Sequence, residues 1–135
     1  MGVLYLDSSA ILAPILELGR SREVEDKIRS ASRIITSRLS WVEGARVIHR
    51  LRHRGGLSEA TLADAEREIN QFWLRCEFWE ITRAICETAR NVAPASPLRS
   101  LDAIHLATFV TARERIEDLE LLTVNDRLRA AAEGV

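Results

Sequence analysis

Residues 3–9 read VLYLDSS, an apolar run of four residues followed at once by an acid and two serines. A short, continuous apolar run is typical of a strand that is covered on both faces, as in a parallel sheet. The polar cluster that follows is typical of a turn that caps a helix, and we expect this helix to begin near Ala10. The opening stretch therefore predicts a buried strand, a turn and a helix.

Units of the same kind follow along the chain. Further strands are predicted at 33–36, around 78–81 and at 119–123, and further helices at 21–30, 40–54, 57–73, 83–93, 101–115 and in a short alanine-rich segment near the end. Pro94 and Pro97 make 93–100 a loop, because proline cannot continue a helix. Short strands alternating with helices predict a three-layer α/β/α sandwich around a central, mainly parallel sheet of four to five strands. Ligands bind beyond the carboxyl ends of the strands in such sheets.

Length and composition fit one soluble domain spanning 1–135, with 47% hydrophobic and 29% charged residues. No apolar run approaches the roughly 20 residues that a membrane span needs. No basic segment precedes the first apolar run and Asp7 interrupts it, so we expect no signal peptide and a cytoplasmic location. Cys76 and Cys86 match no zinc module, and we expect both to be reduced thiols.

The charge balance argues against a protein that coats nucleic acid. Lysine and arginine number 19 against 20 acids, and Lys27 is the only lysine, so any contact with nucleic acid would be local and made by arginine. Arg46, Arg50 and Arg54 lie close to one line along the helix predicted at 40–54. This arginine stripe is either a solvated flank or a ridge that binds phosphates.

Three acids stand in apolar surroundings. Asp7 directly follows the first strand, where it either caps the next helix or binds a metal ion. Asp102 shares a helix side with Leu106, Phe109 and Val110, where it either compensates the helix dipole or points into a site.

The third acid is Glu43, near the start of the helix predicted at 40–54. It lies at the border between a polar face and an apolar face expected from Trp41, Ala45, Ile48 and Leu51. Three converging carboxylates repel one another unless a cation holds them. Oxygen ligands without histidine or cysteine select Mg²⁺ or Mn²⁺, which supports attack of metal-activated water on a phosphodiester.

Four segments together resemble the PIN-domain family, in particular the VapC toxins of bacterial VapBC toxin–antitoxin pairs. The segments are LYLDSSA at 4–10, SWVE at 40–43, LDAIHLA at 101–107 and LLTVNDRL at 121–128. They follow the family's order and spacing over nearly the whole chain, and the segment around Asp102 is the most specific.

The resemblance implies that Asp7, Glu43 and Asp102 bind Mg²⁺, or Mn²⁺ in its place, and that Ser8 or Ser9 forms hydrogen bonds within the acidic site. It also implies an endoribonuclease that cleaves structured RNA such as tRNA or rRNA. An inhibitory VapB-type antitoxin and a homodimer are further implications. A housekeeping RNA-processing nuclease and a non-catalytic PIN-like scaffold that binds RNA or protein are the alternatives.

One position departs from the family's pattern. The family usually has a fourth acid two residues after the threonine that ends the last strand, and here that position is Asn125. Either Asn125 completes the site as a neutral group, or the turn shifts and Asp126 faces the site. Loss of one negative charge should weaken a second metal site more than the first.

Histidine and tryptophan offer weaker candidates. His105 lies within the Asp102 segment, and we interpret it as a structural histidine rather than a catalytic base. His49 and His53 lie on the arginine-bearing helix, where solvent exposure or contact with RNA is expected. Trp73 and Trp79 could stack on RNA bases, but packing or a dimer interface is the preferred interpretation.

Overall fold

In a computed structural model of the protein, residues 2–16 and 21–135 are described. These residues form four strands, β1 (Val3–Leu6), β2 (Arg33–Ser37), β3 (Cys76–Trp79) and β4 (Leu119–Leu122). The helices in the described residues are α1 (Ser8–Ile15), α2 (Ser21–Ser30), α3 (Arg38–Arg54), α4 (Glu59–Trp73), α5 (Arg83–Ala89), α6 (Ser100–Arg113) and α7 (Asp126–Glu133). None of these helices is both long and apolar enough to cross a membrane.

The strands form one sheet in the order β3-β2-β1-β4, and every pair is parallel. Leu4 lies opposite Ile34 of β2 on one side and opposite Glu120 of β4 on the other. All carboxyl ends of the strands therefore meet at one edge of the sheet. The predicted parallel sheet of four to five strands is confirmed, with four strands.

The two faces of the sheet carry different helices. Leu4, Leu6 and Ile34 pack against α1 and α2 on one face, where α3 and α4 extend the same layer. Tyr5 and Ile35 point to the opposite face and pack against α6 and α7, with α5 beside α6. Alternate residues of a strand point to opposite faces, so an uninterrupted apolar strand fills both cores. The predicted three-layer sandwich is confirmed.

Several element boundaries differ from the predictions. The third strand spans Cys76–Trp79 instead of 78–81, because it pairs with β2 from Ile34↔Cys76 to Ser37↔Trp79. Helix α1 begins at Ser8 instead of Ala10, since Asp7 is its N-cap. The helix expected at 83–93 ends at Ala89, and the backbone takes a positive φ of 46° at Ala93.

The buried face of α3 also differs from the expectation. Ile48 is buried, but Trp41 is 52% exposed and Ala45 is exposed, whereas Leu39, Ser40 and Gly44 are buried instead. Gly44 faces α4 so closely that a Cβ at this position would lie 3.0 Å from Trp73 Cζ2. A methyl group here would require the indole to shift by a few tenths of an ångström, so glycine suits the close approach of the two helices. Trp73 and Trp79 both pack against core clusters, in agreement with the packing interpretation.

Candidate active site

A group of polar side chains lies at the carboxyl edge of the sheet. Strands β1 and β4 are neighbours and end at Leu6 and Leu122, so the residues that follow them are adjacent. Asp7 follows β1, and Thr123 and Asn125 follow β4. This edge is where ligands bind in parallel α/β sheets.

Asp7 is 3% exposed and carries out the capping role considered for it. Its Oδ1 accepts a hydrogen bond from the backbone N–H of Ala10 at 3.3 Å, and both carboxylate oxygens accept from the Ser9 hydroxyl at 2.9 Å. Burial raises the pKa of Asp7, although nearby His105 and the Ser9 hydroxyl act in the opposite direction. The local hydrogen bonds therefore do not fully compensate the cost of removing this charge from water.

The Ser9 hydroxyl connects the two strand ends. It lies 3.2 Å from Thr123 Oγ1 and accepts from the backbone N–H of Val124 at the same distance. Thr123 Oγ1 in turn accepts from the backbone N–H of Asn125 at 3.0 Å. Ser8 makes no hydrogen bond to Asp7 in the described part of the chain, so Ser9 alone takes the role that was expected of one of the two serines.

Asn125 links this edge to α6. Its Nδ2 donates to Asp102 Oδ1 at 3.1 Å, while its Oδ1 caps α7 by accepting from the backbone N–H groups of Arg127 and Leu128. Asp126 instead points to solvent, with its side chain 75% exposed and paired with Arg129 at 2.9 Å. The structure therefore places Asn125, and not Asp126, beside Asp102.

Glu43 reaches the same region from α3 through a histidine. Its Oε1 lies 2.7 Å from His105 Nε2, one turn after Asp102 on α6, and its side chain is 22% exposed. The other ring nitrogen, Nδ1, lies 2.9 Å from the hydroxyl of Tyr5 on β1. Burial, followed by the charge of Asp7, raises the pKa of Tyr5 well above its ordinary value.

The three candidate acids thus come from three elements that meet around one edge, Asp7 after β1, Glu43 on α3 and Asp102 on α6. Asp7 and Asp102 are joined through Ser9, Thr123 and Asn125. Within residues 2–16 and 21–135, however, no three His, Cys, Asp or Glu side chains are close enough to form a ready metal-binding group.

Sequence reasoning did not find Tyr5 or Thr123 as parts of this network, since both look like ordinary strand residues.

The arginine stripe lies outside this polar network. Arg46, Arg50 and Arg54 are exposed and line an open depression of about 580 Å³ together with His49 and His53. None of the three arginines has a carboxylate partner in the described parts of the chain. Arg52 of the same helix differs, because it pairs with Glu59 and Glu66 of α4.

A comparison with family models decides the affiliation, since the model of the PIN domain matches residues 4–134. The chain belongs to the PIN-domain family. The resemblance drawn from the four segments is thereby confirmed. This PIN domain is also 35% identical over 135 residues to a Mycobacterium tuberculosis protein named Ribonuclease VapC35, covering 98% of this chain and 92% of that protein.

Solved structures agree on the PIN fold. PAE2754 from Pyrobaculum aerophilum superposes with a TM-score of 0.67 at 20% identity, covering 99% of this chain and 82% of the other. A toxin–antitoxin complex from Klebsiella pneumoniae gives a TM-score of 0.62 at 23% identity, with 90% of this chain and 86% of the other covered. At such identities the likeness establishes the shared fold alone.

Proposed function

We propose that this PIN domain is a Mg²⁺-dependent endoribonuclease, the toxin of a type II toxin–antitoxin pair, with Mn²⁺ able to replace Mg²⁺. The observation that carries the proposal is the hydrogen-bonded network that joins Asp7 and Asp102 at the carboxyl edge of the sheet. The similarity to a ribonuclease of the VapC type over 98% of the chain supports the reaction class.

The donor chemistry of the site fits a hard divalent cation. Asp7, Asp102 and Glu43 would hold it, because all three present carboxylate oxygens and the described surroundings include no thiolate. Their carboxylates do not form a ready cluster in the described residues, so the cation would draw them closer together on binding. The raised pKa of buried Asp7 marks a negative charge that its hydrogen bonds do not fully compensate, and a cation would supply the missing compensation. When bound, Mg²⁺ or Mn²⁺ would activate water and stabilise the charge that develops on a phosphodiester.

The chain's own residues orient these acids and the substrate. The Ser9 hydroxyl holds both oxygens of Asp7, and the Asn125 amide holds one oxygen of Asp102, leaving Asp102 Oδ2 for a further ligand. The stripe of Arg46, Arg50 and Arg54 would bind RNA phosphates, because its guanidinium groups are exposed and have no acidic partners in the described residues. A VapB-type antitoxin would inhibit the enzyme, a proposal supported by the similarity to a chain of a toxin–antitoxin complex and to a ribonuclease of the VapC type.

The test is cleavage of purified tRNA and rRNA by the purified chain, with and without Mg²⁺ or Mn²⁺, followed by mapping of new 5′ ends. We expect cleavage that stops on addition of EDTA and is absent from the Asp7→Asn variant. Asp64→Asn is the matched control, because it makes the same change at an exposed acid of α4 that pairs with Arg67. Undiminished cleavage in excess EDTA would overturn the metal-dependent mechanism.

A non-catalytic PIN-like scaffold is the second candidate, and the neutral Asn125 in place of the family's fourth acid favours it. A scaffold would bind RNA through the arginine stripe without producing new 5′ ends under any metal condition. A housekeeping nuclease would cleave RNA but would not need an antitoxin for safe expression. A gene for a small DNA-binding protein directly upstream would favour the toxin.

A further inference from the structure

His105 occupies a place that neither packing nor the proposed chemistry alone explains. It lies on α6, 3% exposed, and its ring spans the distance between a core tyrosine and a candidate metal ligand. Nδ1 is 2.9 Å from the Tyr5 hydroxyl, and Nε2 is 2.7 Å from Glu43 Oε1. Tyr5 belongs to the central strand β1, so the chain Tyr5–His105–Glu43 ties a side chain of α3 to the middle of the sheet.

The direction of the hydrogen bonds follows from the groups themselves. A carboxylate oxygen only accepts, so His105 Nε2 donates to Glu43. In the neutral ring Nδ1 is then an acceptor, and the Tyr5 hydroxyl donates to it. The hydroxyl thus selects the tautomer in which Nε2 carries the proton that Glu43 needs.

The ring of His105 has little freedom to move. It meets the Tyr5 ring edge to face, with centroids 6.1 Å apart and planes at 72°, and its neighbours Leu106, Ala107 and Thr108 on α6 are buried. Glu43, by contrast, has a long side chain that samples several rotamers when it is unrestrained. No other hydrogen bond reaches the Glu43 carboxylate within residues 2–16 and 21–135. His105 is therefore the group that determines where this carboxylate lies.

We propose that His105 is a positioning residue, which holds Oε1 of Glu43 so that Oε2 remains available for the catalytic cation, with Tyr5 fixing the ring. The inference rests on the proposed function, since it takes Glu43 to be a metal ligand. Partners that orient a metal-binding side chain change metal affinity by roughly 10- to 100-fold when they are removed.

The experiment measures Mn²⁺ binding by the electron paramagnetic resonance signal of free Mn²⁺, without RNA. His105→Met and His105→Gln form a matched pair of similar shape, in which only the glutamine can donate a hydrogen bond. We expect the Kd for Mn²⁺ to rise roughly 10- to 100-fold in the Met variant and to return most of the way to the wild-type value in the Gln variant. Circular dichroism verifies that each variant is folded.

Further variants separate the inference from the proposed function. Wild-type protein that binds no Mn²⁺, or Glu43→Gln that binds like wild type, would overturn the metal role of Glu43 and the inference with it. Loss of affinity in Glu43→Gln with wild-type affinity in His105→Met would overturn the inference alone, as would equal losses in the Met and Gln variants. In the double variant His105→Met with Glu43→Gln, we expect no loss of Mn²⁺ affinity beyond that of Glu43→Gln alone, because both changes act on one interaction.

Tyr5→Phe keeps the test decisive where the His105 variants do not fold. It preserves the ring that packs in the core and removes only the hydroxyl that bonds to Nδ1. We expect a Kd for Mn²⁺ raised several-fold, since the ring of His105 stays in place without its fixed tautomer. An unchanged Kd in this variant would overturn the inference.

Discussion

Asp7 combines two roles that place opposite demands on a carboxylate. As the N-cap of α1 it accepts from the Ala10 N–H, which favours a short polar side chain at this position. As a candidate metal ligand it is buried at the end of the central strand, where an ionised group is poorly solvated. The raised pKa of Asp7 shows that burial outweighs the local hydrogen bonds and the neighbouring His105.

We therefore predict that Asp7→Asn stabilises the metal-free protein at pH 7 by about 1 kcal/mol, a size typical of stabilising changes at functional sites. An acid whose pKa is higher in the folded than in the unfolded state favours the folded protein when it is protonated. Its contribution to the free energy of unfolding is complete below the unfolded-state pKa, here near the ordinary 3.8. That contribution is lost as the pH rises through the folded-state pKa. Asparagine does not ionise and caps the helix equally well, so the advantage of the variant should vanish as the pH falls below about 4.

Urea unfolding in EDTA at several pH values measures this difference. With Mn²⁺ in excess the order should reverse, because a cation that binds the folded state stabilises only the protein that retains the ligand. A variant that is less stable than wild type in EDTA at pH 7 would show that the carboxylate is better solvated than its burial indicates.

Asn125 stands where the family resemblance leads us to expect an acid. We predict that Asn125→Asp lowers the Kd for Mn²⁺ and destabilises the metal-free protein by roughly 1–3 kcal/mol. Aspartate caps α7 as well as asparagine does, but its carboxylate replaces the amide that donates to Asp102 and adds a like charge beside it. Mn²⁺ titration and urea unfolding measure the two effects.

Asp126→Ala serves as the comparison at the adjacent position. Its side chain is exposed and paired with Arg129, so we expect no change in the Kd for Mn²⁺. If Asp126→Ala weakened Mn²⁺ binding and Asn125→Ala did not, Asp126 would be the residue that completes the site.

At the scale of elements, α3 presents two separate surfaces. One side packs Gly44 and Ile48 against neighbouring helices, and Glu43 leaves the same helix toward His105. The other side exposes the arginine stripe, which adjoins neither the core nor an acidic partner in the described residues. Under the proposed function, one helix would supply a carboxylate to the site and guanidinium groups to the RNA.

We predict that Arg46→Ala and Arg50→Ala each weaken RNA binding and reduce the slope of log K against log salt concentration by roughly 0.7–0.9, the value for one lost phosphate contact. Binding is measured in EDTA, so that RNA stays intact. Arg83→Ala on α5 removes the same charge from an exposed site in the opposite layer, paired with Glu87, and should leave the slope unchanged. Equal slopes for all variants would return the stripe to an ordinary solvated flank.

At the scale of the whole molecule, a net charge of −1 gives no general attraction to RNA. RNA binding of the proposed kind would then come from the separation of charge on the surface, with acids at the sheet edge and arginines on α3 that have no acidic partner among the described residues. The homodimer implied by the family resemblance remains a prediction, and light scattering of the purified chain would test it.

We predict that expression of the wild-type chain in a bacterial host arrests growth and that Asp102→Asn abolishes the arrest, because the site then lacks a charged ligand. Growth curves measure the effect, and immunoblots with thermal unfolding verify that the variant is present and folded. Asp26→Asn, at an exposed acid of α2 paired with Arg29, should remain toxic. Growth arrest by Asp102→Asn at the wild-type level would remove Asp102 from the site.

The sequence alone determined the three-layer architecture of the fold and the surroundings of two of the three acids, Asp7 and Asp102. The uninterrupted apolar run of β1 is itself the signal of a strand inside a parallel sheet, because both faces of such a strand must be covered. The turn after it places Asp7 at the carboxyl edge whatever the rest of the chain does. The position of Asp102 was equally predictable, since helical periodicity puts it at the end of the buried side of α6.

Only the tertiary structure decided which residues of the site form hydrogen bonds with one another. Whether Asn125 or Asp126 faces Asp102 depends on the turn after β4, which local pattern does not resolve. The bonds from His105 to Tyr5 and Glu43 join residues 100 and 62 positions apart, so no local signal could reveal them. The buried face of α3 was misjudged because Gly44 is covered by Trp73 and Ile69 of α4, contacts that arise when two helices pack. Hydrophobic periodicity shows which face of a single helix or strand is apolar, whereas these contacts form only when several elements pack together.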